Sequence, residues 1–235
     1  MFTREHTSLP LTNQYLTDLA EKDVDAVVEA IGRERLTAYA DFTANDREAL
    51  ALYQVNSQLS KHIHEAIGGF EVALRNEVSQ SIAAHYGRPD WYRCLKFKMR
   101  LAKPRRDNIR DVRRRLQIDR RDERSGRVIA GLTFHFWVSM HENKYRDVVW
   151  TPHLHKLWPK GENLKHVHKD LLKTRDLRNR IAHHEPIFLP KWHGRTAGMW
   201  TRFEQVSPVM CAWYRQRLEP KIGLLSNVCN EQIAQ

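Results

Sequence analysis

From Asn45 and Asp46 onward, apolar side chains recur mostly every three or four residues, at Leu50, Tyr53, Leu59, Ile63, Ile67, Phe70, Leu74, Val78 and Ile82; the pattern stops at Tyr86-Gly87. That spacing predicts one long helix with a buried stripe. Gly68-Gly69 in its middle permits a kink or the close approach of a neighbouring helix. Two shorter helices are expected before it, near Thr12–Ala20 and Val24–Arg33. Downstream, Pro104 can open a helix on which Arg106, Arg110, Arg113 and Arg114 share a face. Asp119–Gly126 reads as a polar loop, and Val128–Met140, aromatic and β-branched, fits either a strand or a buried helix. Leu164, Val167, Leu171 and Ile181 predict a helix from about Gly161 to His184, ended by Pro186 and Pro190. Ser207-Pro208 has the cap and first-turn arrangement of a last helix toward Leu218, before Pro220. No repeat, low-complexity tract or flexible linker interrupts this order. The expectation is one all-α domain over residues 1–235, with an N-terminal helical extension over about 1–40 and an inserted basic segment over about 93–127.

Charge sharpens the picture. The chain carries a net charge of +11, and between Arg93 and Arg127 fifteen Lys or Arg face only Asp107, Asp111, Asp119, Asp122 and Glu123. Nearly the whole imbalance therefore sits in one segment, which suits a polyanion whose condensed counterions are released on binding. A solvated helix face is the plain alternative, but these five carboxylates are too few to balance the segment. An RNA contact surface is expected at Arg105, Arg106, Arg110, Arg113, Arg114 and Arg115. An acidic membrane fits the charge equally well, yet no amphipathic lipid-binding face or lipidation signal accompanies it. No basic-then-apolar leader opens the chain, and its most apolar window, Val128–Met140, is too short to span a bilayer. Cys94, Cys211 and Cys229 are odd in number and far apart, which predicts free thiols, a reducing compartment and a cytoplasmic location.

The stretch from Arg175 to Ile187, RDLRNRIAHHEPI, concentrates the candidate chemistry. Asn179 and His183 are four apart and neighbour each other on a helix; Arg178 and His183 are five apart, about 140° around it. Arg178 falls near the centre of the predicted apolar stripe, where a charge requires a partner. Glu71 is the natural candidate, and it can also pair with Arg75 at i+4. On spacing alone, Arg178 fits a structural role held by Glu71, and His183 fits a helix-terminal cap favoured by the macrodipole. Seven of the thirteen histidines lie between His153 and His193, including His153-x-His155 and His166-x-His168. Ligands on a helix sit at i+3 or i+4 and no cysteine lies nearby, so neither a metal site nor any cofactor is expected. Phe134, Phe136, Trp137, Trp150 and Trp158 read as core.

Four segments together resemble the abortive-infection-like proteins of the HEPN superfamily, in that family's order: Ala51–Asn56 (ALYQVN), Phe70–Asn76 (FEVALRN), Gly131–Val138 (GLTFHFWV) and Arg178–Ile187 (RNRIAHHEPI). The family usually has Gly where this chain has His135. The resemblance implies an all-α HEPN bundle and metal-independent RNA cleavage at a composite site shared by two protomers. It makes Arg178, Asn179 and His183 catalytic, with Glu71, Arg75, Asn76, His184 and Glu185 supporting them. It further implies an endoribonuclease toxin of phage defence or of a toxin and antitoxin pair. From the charge, a small RNA or an acidic protein is the expected inhibitor. The competing expectation is a non-catalytic RNA-binding or adaptor protein on the same dimeric scaffold.

Overall fold

The computed structural model describes residues 15, 16, 18–120, 122–152 and 154–234. Among them the chain is helical and contains no strand: α1 (Val24–Ile31), α2 (Arg33–Ala40), α3 (Asp46–Tyr86), α4 (Leu95–Arg100), α5 (Lys103–Ile118), α6 (Ser125–Gly131), α7 (Phe134–Ser139), α8 (Leu164–Ala182), α9 (Pro190–Val206) and α10 (Pro208–Ile233). Short single-turn helices connect several of these. No described helix is long and apolar enough to cross a membrane. Of the helix expected near Thr12–Ala20, residues 12–14 and 17 lie outside the described residues, and the expected end is not helical: Asp18 is in a turn and Leu19 and Ala20 are irregular. The chain divides into two compact units, one of residues 1–65, 179–194 and 216–235, the other of 66–178 and 195–215.

In the first unit, α3 starts at a built cap. Asn45 Oδ1 accepts the Glu48 N–H at 2.9 Å, and Glu48 returns a carboxylate oxygen to the Ala44 N–H at 2.9 Å, so helix-end donors are satisfied reciprocally. The expected helix over Val24–Arg33 stops two residues earlier, at Ile31, because Gly32 turns to φ 94° and separates α1 from α2. The core gathers Tyr39, Leu52, Val55, Leu59, Phe188 and Leu218, all nearly or wholly buried. The Tyr39 ring meets Tyr53 at 5.5 Å and Phe188 at 5.2 Å. The last helix does not end before Pro220; it carries the proline inside and continues to Ile233. Leu218, Ile222, Leu225 and Cys229, buried at helical spacing, hold it to the core across the missing N–H. Pro190, expected as a terminator, is the first residue of α9, where its fixed φ suits a first turn.

In the second unit, α3 continues unbroken through Gly68-Gly69. A Cβ at Gly69 would lie 2.7 Å from the Tyr214 ring of α10, so the close-approach alternative holds there. Val128–Met140 resolves into α6 and α7, two short helices parted at Leu132-Thr133; the Thr133 hydroxyl caps α7 by accepting the Phe136 N–H. Phe134, Phe136, Trp137, Trp150 and Trp158 are buried. Trp91 packs edge-on to Trp137 and donates its indole N–H to Ser79 Oγ at 2.9 Å. Arg202, only 8% exposed, is held by Glu162 and Asp170 at 2.7 and 2.8 Å. Cys211 and, in the first unit, Cys229 are buried, Cys94 is partly exposed, and the three form no disulfide; burial pushes the Cys229 thiol up to about 12.

Candidate active site at the end of α8

The last turn of α8 closes through backbone hydrogen bonds that place each candidate side chain. The His183 N–H reaches the Asn179 carbonyl at 3.0 Å, which extends the helical ladder past Ala182. The His184 N–H then reaches Ile181 and the Glu185 N–H reaches Arg180, both at 3.0 Å. With His184 at φ 55°, this is a Schellman motif whose left-handed position, usually glycine, holds a histidine. Arg180 anchors the turn. It donates Nε–H to the Pro186 carbonyl at 2.7 Å, pairs with Glu185 at 2.6 Å and lies 4.7 Å over the Trp192 ring. Asn56 Oδ1 accepts the Ile187 N–H at 2.7 Å inside the core. The backbone from 183 to 187 is thereby fixed, while the side chains of Asn179, His183, His184 and Glu185 stay exposed.

A groove of about 700 Å³ opens beside this turn, lined by Tyr53, Asn56, Ser57, Ser60, Lys61, His64, Ile181, Ala182 and His184. Among the described residues no carboxylate lines it. Two carboxylates of this unit are already engaged, Glu65 by Arg217 at 2.8 Å and Glu185 by Arg180. His184, expected only to support the site, lines the groove; His183 is its exposed neighbour. No protein-family model, curated protein or solved structure matches the chain. The site is therefore read from its own residues.

Sequence reasoning passed over Lys61, His64, Arg180 and Trp192. A signal for the first two was present: Ser57, Ser60, Lys61 and His64 recur at i, i+3, i+4 and i+7, a polar stripe on a helix whose other face is apolar.

In the second unit, Arg178 is half-buried at the edge of the apolar stripe rather than at its centre, which Thr174 and Leu177 occupy. Buried positions along α8 recur slightly faster than the helical period, so the stripe drifts around the helix and leaves Arg178 at its margin. Burial raises the Glu71 carboxyl above its ordinary value, opposed by the attraction of Arg178 and then Arg75. Among the described residues neither arginine closes an ion pair with Glu71; Arg75 Nε is buried without a hydrogen-bond partner, and Asn76 is exposed.

The expected RNA-contact arginines divide into three groups. Arg110 is paired with Asp107 at 2.8 Å and Asp111 at 3.3 Å, and Arg113 with Glu123 at 2.7 Å. Arg93 shares Glu123, and these two arginines hold its carboxyl below the usual range against the cost of burial. Arg106, Arg114 and Arg115 are exposed on α5, away from the stripe formed by its buried Ile109, Val112 and Leu116. Arg105 turns inward to Asn108 and His135. Among the described residues no three His, Cys, Asp or Glu side chains converge as metal ligands; His153 of the His153-x-His155 pair lies outside them.

Proposed function

We propose that this protein is a metal-independent endoribonuclease of the HEPN type, acting in the cytoplasm as a toxin of phage defence or of a toxin and antitoxin pair. One observation carries this: exposed imidazoles and an exposed amide stand on a fixed helix end, beside a groove bearing Lys61 and His64 and no carboxylate. A phosphodiester is attracted to such a surface, whereas a groove with paired charges would not select one.

Cleavage without metal requires the 2′-hydroxyl to lose a proton, the 5′-oxygen to gain one, and the phosphorane to be stabilised between those steps. An imidazole performs either proton step near neutral pH, and His183 is assigned this role. Arg178, which directly precedes Asn179, would hold the non-bridging oxygens with its forked donors. Asn179 would orient the phosphate or the imidazole, and a second copy of the chain would supply the complementary acid–base group across a dimer axis. The products are a 2′,3′-cyclic phosphate and a 5′-hydroxyl. DNA, lacking the 2′-hydroxyl, is not cut.

The half-buried setting of Arg178 near Glu71 favours one other reading, a non-catalytic RNA-binding or adaptor protein in which that arginine is structural. A single variant separates the two. His183→Ala should lower cleavage of single-stranded RNA by about a hundredfold or more while RNA binding persists. Cleavage unchanged by the substitution, or absent in the native protein, rejects the enzyme.

A further inference from the structure

In the second unit the imidazole of His135, at the second residue of α7, sits between two guanidinium groups. Arg105 of α5 places a terminal nitrogen 2.8 Å from Nε2, and Arg175 of α8 places one 3.3 Å from Nδ1. A guanidinium only donates, and a neutral imidazole has one acceptor nitrogen, so the ring can satisfy one arginine and not both. The surroundings do not compensate. The other partner of Arg105 is the neutral Asn108, at 3.0 Å. Arg175 is paired with Asp176 at 2.7 Å, but Arg195 draws on the same carboxylate at 3.8 Å. Burial and the Arg105 and Arg175 guanidiniums hold the His135 ring below its ordinary value, which favours the neutral form, and Glu142, the carboxylate that opposes this, is tied to Lys144. Surplus donors and surplus positive charge thus converge where Arg105 and His135 are half-buried and the Arg175 side chain is 27% exposed. A protein gains no stability from that arrangement alone. An anion entering from solvent would accept the unsatisfied donors and neutralise the excess.

We infer that Arg105, His135 and Arg175 form a phosphate-binding site that holds a backbone phosphate of an RNA strand. Arg175 lies one helical turn before Arg178 on α8, a rise of about 4.5 Å, so a phosphate held here neighbours the one assigned to Arg178. Of the expected RNA-contact arginines, Arg105 is then a specific ligand, while Arg106, Arg114 and Arg115 form a diffuse electrostatic surface. The choice of RNA as ligand rests on the ribonuclease reading; the anion site does not.

The test uses the native full-length chain and a 2′-O-methyl oligouridylate octamer, which binds but has no free 2′-hydroxyl to be cut. Saturating octamer should shift the His135 imidazole resonances in a histidine-labelled nuclear magnetic resonance spectrum. Arg105→Gln and Arg175→Gln should each weaken octamer binding about tenfold and lower the dependence of log affinity on log salt by about 0.7. The corresponding lysine variants should restore the salt dependence more than the affinity. His135 resonances that stay in place at saturation overturn the proposal without recourse to any variant, as does native affinity in both glutamine variants. A shift with inorganic phosphate alone and none with the octamer rejects RNA as the ligand. Cleavage of an unmodified octamer is followed in parallel: His135 shifts without cleavage reject the ribonuclease and leave the anion site standing, whereas cleavage without shifts rejects the anion site alone.

Discussion

Asn56 and Ile187, 131 residues apart, are joined by a 2.7 Å hydrogen bond in which the amide oxygen of the first accepts the backbone N–H of the second. The bond is buried, and it ties α3 to the segment that follows the candidate helix end. Replacing Asn56 by Ala leaves that N–H without a partner, a cost of about 1–3 kcal/mol. Urea denaturation should show this loss. An unchanged midpoint would mean that water replaces the amide without penalty.

His184 is the second informative position. A non-glycine residue at φ 55° carries a backbone cost of about 1 kcal/mol that glycine does not bear. His184→Gly should therefore raise thermal stability. Because His183 is assigned the proton transfer, cleavage should fall by less than the roughly hundredfold expected from losing an acid–base group. A larger fall transfers the chemical role to the imidazole that lines the groove.

Gly68 and Gly69 make a matched pair on α3. Nothing approaches a Cβ built at Gly68 within 4 Å, whereas one at Gly69 meets the Tyr214 ring at 2.7 Å. Gly68→Ala should stabilise by about 0.5–1 kcal/mol through helix propensity, and Gly69→Ala should destabilise by about 1–3 kcal/mol through overpacking. Equal effects in thermal melts would contradict the packing of Tyr214 against α3.

Stability should also depend on pH through His141. This imidazole is wholly buried, steeply angled to the Trp150 and Trp158 rings at 6.3 and 5.6 Å between centroids, and burial pushes it down to about 4 from an ordinary value of 6.5. The native state keeps it neutral while the unfolded chain takes up a proton below pH 6.5, so the unfolded state binds more protons across that window. Stability is full above about 6.5 and declines as pH falls toward 4, by up to about 1.4 kcal/mol per pH unit. His62, His135, His168 and His193 are lowered too and act in the same direction. His141→Leu should flatten the curve between pH 4 and 6.5; an unaltered slope assigns it to the other histidines and to Glu123, Glu162 and Asp170, whose lowered carboxyls act in the same direction at the acid end.

The sequence pattern told most where periodicity was long. The extent of α3, the start of α5 and the body of α8 follow from apolar spacing and proline position alone, because a helix that buries one face must repeat that face. Pro190 and Pro220 misled for a local reason: proline marks a helix start as readily as an end, and a strong apolar stripe carries a helix through it. At the candidate site, Arg178, Asn179 and His183 were legible as a spacing. Lys61 and His64 were legible as a polar stripe on α3, but which helix end that stripe meets, like the contact of His135 with Arg105 and Arg175, depends on which helices pack together, and spacing within one helix does not encode that.

The same division decides how the basic helix should bind RNA. Arg110 and Arg113 already face Asp107, Asp111 and Glu123, so a phosphate arriving there must displace a carboxylate, and little counterion is released in exchange. Arg106, Arg114 and Arg115 are exposed and would neutralise phosphate directly. For single-stranded RNA each such contact contributes about 0.7 to the slope of log affinity against log salt. Replacing Arg106, Arg114 and Arg115 together by Gln should therefore reduce that slope by about 2, measured by anisotropy between about 50 and 200 mM salt. The Arg110→Gln, Arg113→Gln double variant should change it by less than about 1, with thermal melts confirming that both proteins remain folded. If the paired arginines instead carry the larger share, RNA opens those ion pairs on binding.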